Sequence, residues 1–181
     1  MNGRISFLFL LLAGVLLAGC AGGPDTALPS SPVIPARNGA FTYRIPPGWF
    51  DASADSQAQG HIVLLIRNDY GATIAVDEVQ LDEAARGEIR REGLLPAAQL
   101  LLSLTSWEQH AVLTDAPHMV SLGDRAGCRY GMVTGDAGDA LDVTVVETQG
   151  RVFAVTVLLA GKRSAGEVPV VRESFLGAVR W

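Results

Sequence analysis

Behind a charged head, Met1-Asn2-Gly3-Arg4, an apolar run extends from Ile5 to Leu17 with Ser6 as its single polar residue. The next clear pattern starts at Phe41. Phe41, Tyr43 and Ile45 alternate with Thr42 and Arg44, the period of a half-buried strand, until Pro46-Pro47-Gly48 ends it and Trp49-Phe50 follow. Residues 62–66 are wholly apolar and suit a central strand. Asp69-Tyr70-Gly71 supplies turn chemistry, and residues 72–81 read as a second strand.

The period then changes. Residues 82–92 are charged and helix-prone, with Asp82 and Arg86 spaced for an i,i+4 pair and Gly93 placed to end the helix. Pro96 suits the start of a second helix, in which Leu100, Leu101, Leu104 and Trp107 are expected to face the sheet. Strand patterns return at 112–115, 118–122, 127–134, 140–148 and 151–160. Phe153, Val155, Val157 and Leu159 share a face of the last, and Gln149-Gly150 turns the chain between the final two. A closing helix covers 167–178 with Val168, Val171 and Phe175 buried. A capping box from Ser164 to Glu167 would place Pro169 too deep in that helix.

Hairpins, a helical middle, a meander and a final helix predict an α+β fold: an antiparallel β-sheet flanked by helices. The opening Phe41-Thr42-Tyr43-Arg44-Ile45-Pro46-Pro47-Gly48-Trp49 resembles that of PsbP-like domains. That family includes photosystem II PsbP, the Ran-binding Mog protein and envelope lipoproteins of the DcrB type. The resemblance extends to element order over residues 41–181. It implies a domain acting as a non-enzymatic binding or assembly factor, and it transfers no functional residue.

The first 19 residues have the parts of a secretory signal, and their apolar run is short of the ~20 residues that span a bilayer. Leu17-Ala18-Gly19-Cys20 resembles the lipobox of bacterial lipoproteins, which implies cleavage before Cys20 and acylation of its thiol. Cleavage after Ala21, or retention of the segment as an anchor, are the competing readings. At ~0.8 kcal/mol per buried CH₂, two or three acyl chains anchor a protein stably. Ala21 stands where an aspartate would signal inner-membrane retention in well-known Gram-negative bacteria, so the outer membrane, facing the periplasm, is the expected address. Residues 20–40 hold four of the nine prolines. They read as a tether of ~25 Å as coil and up to ~60 Å when stretched.

Removing 19 residues from 181 leaves 162 and takes away one basic residue, Arg4, so the charge moves from −5 to −6. Without a basic run the chain is a poor partner for nucleic acid or anionic lipid. With Cys20 acylated, Cys128 is the one remaining thiol and is expected to be buried and inert.

Asp136, Asp139 and Asp142 could offer oxygen ligands to Ca²⁺, but their spacing matches no calcium loop, and turn chemistry explains the first two. His61, His110 and His118 lack zinc-site spacing, and neither GxSxG nor a phosphate-binding glycine pattern occurs. Trp49 and Trp107 are expected in the core and Trp181 at the chain end. No cofactor, metal ligand set or catalytic residue is therefore expected. Three functions remain. The first is a lipid-anchored envelope factor that binds a protein partner. The second is a carrier holding a small apolar ligand between the leucine-rich stretch 94–104 and the sheet. The third is a hydrolase with a non-contiguous site at His61 or His118.

Overall fold

A computed structural model of the chain describes residues 31–55, 60–109, 111–134, 138–161 and 166–181. The expected leader, Cys20 and the first part of the tether lie outside the described residues, as do His110, Asp136 and Ser164. Residues Ser31–Trp181 form one compact unit. It takes in positions before Phe41: β1 (Ile34–Pro35) pairs antiparallel with β2 (Thr42–Tyr43).

The main sheet has seven antiparallel strands. They are β3 (Trp49–Asp51), β4 (Val63–Arg67), β5 (Ala72–Glu78), β6 (Val112–Leu122), β7 (Arg125–Thr134), β8 (Asp139–Thr148) and β9 (Arg151–Leu159). Their order is β3-β4-β5-β9-β8-β7-β6. The last strand thus returns to β5 and joins the first hairpin to the C-terminal meander. Helices α1 (Glu83–Glu92) and α2 (Leu95–Gln109) lie between β5 and β6 in sequence, and α3 (Val168–Ala178) closes the fold.

Strand alternation divides the apolar residues between two faces. On one, Val63, Leu65, Ile74, Val76, Phe153, Val155 and Val157 meet Phe41, Tyr43 and Phe175. The Phe41 ring stands edge-on to Phe153 at 5.7 Å and lies 4.8 Å from Trp181. Backbone bonds in both directions between Thr42 and Arg180 tie the N-terminal hairpin to the segment after α3. On the other face, Cys128, Tyr130, Met132, Leu141, Val143 and Val145 lie under Ile89, Leu94, Ala97 and Ala98.

Local chemistry explains the boundaries. The Asp82 carboxylate accepts a hydrogen bond from the Ala85 amide and caps α1, so it serves the backbone and not the expected Arg86 pair. Glu83 and Arg90 pair instead. Gly93, at φ 75°, ends the helix. Gln149 and Gly150 both have positive φ, 53° and 72°, as a two-residue turn matching strand twist requires. Pro169 sits in the first turn of α3, because the helix begins at Val168 and the N-cap is Glu167.

Three expectations are corrected. The segments 112–115 and 118–122 form one strand, β6, whose register shifts on both sides of Asp115. A sheet-edge position lets Pro117 sit there without removing a ladder bond. Trp49–Asp51 form a strand on the opposite edge, with Trp49 packed at the core margin. Finally, α2 turns Ala97 and Ala98 to the sheet, with Leu94 just before it and Leu101 packed against the same cluster, while Leu100 and Leu104 are 49% and 51% exposed. Alanines admit the helix backbone close to the strands, and the bulkier leucines overhang beside the contact.

Candidate functional site

The helix pair does not cover its whole sheet face. Of the two, α2 packs on β6 and β7 and α1 on α2, and the same face continues across β8, β9 and β5 as a groove of about 580 Å³. Ala75, Val143, Ala154 and Thr156 come from the strands, and Leu100, Leu101 and Leu104 from α2. Small residues on the strands make the depth, and the overhanging leucines make an apolar wall. Tyr130 is buried below, and burial pushes its ionisation up to about 12. It is a fixed neutral element of the lining.

Polar groups collect at the end of β5. His61 Nδ1 lies 2.6 Å from Asp77 Oδ1. The carboxylate only accepts, so Nδ1 carries the proton between them. Glu78, the next residue, belongs to the opposite face and receives Arg151 through both arms of its guanidinium, Nε at 2.7 Å and Nη2 in a second short contact. That bond holds the Glu78 carboxyl below the usual range. The guanidinium also stands 5.4 Å from the centre of the Phe153 ring.

The other candidate residues separate. His118 lies inside β6, with Nδ1 2.9 Å from the Ala116 carbonyl and Nε2 3.2 Å from Arg129. Its Nδ1 is also 3.5 Å from Asp115. Register pairs His118 with Arg129, whose neighbours Cys128 and Tyr130 point to the groove face, so His118 and His61 serve opposite sides of the sheet. Among the described residues, no hydroxyl or thiol hydrogen-bonds to His61. Asp139 accepts the Gly161 amide, whereas Asp142 turns to α3 and binds Arg172 at 2.8 Å. Strand alternation separates these two carboxylates. Cys128 is fully buried, and burial raises its thiol ionisation, as expected for an inert thiol.

Sequence reasoning passed over two pairs. Asp142 and Arg172 have side chains only 9% exposed. Arg172 shares the buried side of α3 with Val168 and Phe175, so a cation at an apolar-face position was its visible signal. Burial pushes the Asp142 carboxyl up, against the attraction of Arg172. His61 and Asp77 are 16 residues apart and had no local signal.

No family model and no curated protein matches the chain in sequence. Solved structures do match its fold. Cyanobacterial PsbP (CyanoP) from Synechocystis sp. PCC 6803 superposes with a TM-score of 0.56 at 10% identity, covering 89% of this chain and 98% of that one. The Ran-binding protein Mog1p of Saccharomyces cerevisiae gives 0.54 at 12% identity, over 82% and 94%. These identities carry the architecture alone. The domain has the antiparallel α+β fold shared by PsbP and Mog1.

Proposed function

We propose that this protein is a lipid-anchored, non-catalytic binding or assembly factor of the cell envelope, held through acylated Cys20 at the outer membrane and facing the periplasm. The observation that carries the binding role is the uncovered part of the sheet, where Leu100 and Leu104 stand half exposed beside a concave floor. Apolar side chains rimmed by polar ones mark interaction surfaces. The fold supports the reading, since Mog1p is a Ran-binding protein. The lipobox supports the address.

Two measurements test it. Intact-mass analysis of protein from its own membrane should find the leader removed and Cys20 acylated; a retained leader or bare thiol refutes the anchor. Crosslinking in intact cells should capture a reproducible envelope protein with the natural chain and lose it with Leu104→Gln. Capture unaffected by that change would remove the groove from the account.

A second reading is a carrier of a small apolar ligand. The groove volume favours it, because small-molecule sites occupy ~300–1,000 Å³. Native mass spectrometry of protein taken from its own membrane checks this reading through a co-purifying small molecule.

A further inference from the structure

We infer that the groove accepts a single-chain amphiphile whose head donates hydrogen bonds and carries no negative charge, with the chain along α2 and the head at His61 and Asp77. The inference rests on the carrier reading and adds the chemistry of the head. A helix ~10 Å across with a 5.4 Å pitch fills roughly 400 Å³ per turn. The 580 Å³ of the groove therefore holds under two turns, fewer than the i to i+7 anchors of a docked helix span. An aliphatic chain against Leu100, Leu104, Ala75 and Ala154 needs no backbone partner and suits that space.

The polar end determines the head. Asp77 Oδ1 is bonded to His61, and among the described residues Asp77 Oδ2 and His61 Nε2 have no hydrogen-bond partner. The carboxylate oxygen is an acceptor. Glu78 and Arg151 bind each other on the opposite face of the sheet, and among the described residues no arginine or lysine lines the groove. A carboxylate or phosphate head would meet the Asp77 carboxylate and no lining arginine or lysine, and like-charge juxtaposition is costly. A diol or an amine would give a hydrogen to the Asp77 carboxylate. These two heads share the chemistry and differ in charge.

The test uses full-length protein in nanodiscs and four twelve-carbon probes with a diazirine in the chain. One ends in glycerol, one in an amine, one in a carboxylate and one in a methyl group. After irradiation, labelled peptides are mapped by mass spectrometry. The glycerol and amine probes should label α2 about ten-fold above the carboxylate, a gap on the scale of one charge-assisted contact. Asp77→Asn should shrink that gap, the amine losing more than the glycerol. Ala75→Leu, which fills the floor, and Leu104→Gln, on an exposed position, should each reduce labelling by all probes. Equal labelling by the four probes, with sensitivity to Leu104→Gln, would overturn the head chemistry and leave the carrier reading standing. An absence of labelling on α2 would overturn both.

Discussion

The two faces of the main sheet are closed to different degrees. Against one, Phe175 of α3 and the Phe41–Trp181 contact complete a dense aromatic core, while Asp142 and Arg172 bind the helix to β8. Against the other, α2 rests on Ala97 and Ala98 and leaves part of β5, β9 and β8 as the floor of a groove. The first arrangement buries its apolar side chains and suits stability. The second leaves apolar side chains and a polar pair facing an open groove, at some loss of burial. Stability and binding are thereby assigned to opposite sides of one set of strands.

If that division holds, changes on the closed face should be read in unfolding and those on the open face in binding. Phe175→Ala should cost about 3–5 kcal/mol in chemical denaturation, one of the two largest effects of the series. Arg172→Met leaves a buried carboxylate without its cation and should cost about 3–5 kcal/mol. Adding Asp142→Leu should recover most of that loss, because the desolvation penalty leaves with the charge. Failure of the double variant to recover would mean that the pair itself, and not apolar packing, holds α3.

Smaller effects sharpen the contrast. Burial acts to raise the Asp51 carboxyl, but hydrogen bonds from Ser53 and from the Tyr43 hydroxyl at 2.5 Å outweigh it and hold the group below the usual range. A folded value below the unfolded one gives stability that is present above ~4 and is lost as pH falls through the folded value. Asp142, raised by burial, works in the opposite sense: its contribution is present at low pH and lost as pH rises through its folded value. Thermal unfolding from about pH 6 to 3 should therefore show a shallower acid loss in Asp51→Asn than in the natural chain. Asp82→Ala should cost about 1 kcal/mol through the lost cap, measured in denaturant and confined to the helix pair of the open face. Leu104→Gln should change stability by no more than about 0.5 kcal/mol, while removing most ligand or partner contact.

Local patterns carried much of this architecture, and long-range contacts supplied the rest. Alternation at Phe153, Val155, Val157 and Leu159, the Gln149-Gly150 turn and the Gly93 helix end are all visible in short windows, and the structure bears them out. The return of β9 to β5 joins residues about 80 apart, a pairing that no window contains. β1 and β3 are two and three residues long, too short for a period to register. The α2 face was misassigned because leucine outweighs alanine in any hydropathy pattern, whereas close helix–sheet approach selects Ala97 and Ala98. The groove follows from that same displacement of Leu100 and Leu104, so it was hidden in the sequence for the reason that it exists.

The most direct measurement places a photo-crosslinking amino acid at Leu104 or at Val170, the latter 70% exposed on α3, and irradiates intact cells. The account predicts a discrete adduct, protein or small molecule, from position 104 and none above background from position 170. Adducts of equal yield from both sites, or from position 170 alone, would contradict the assignment of binding to the open face.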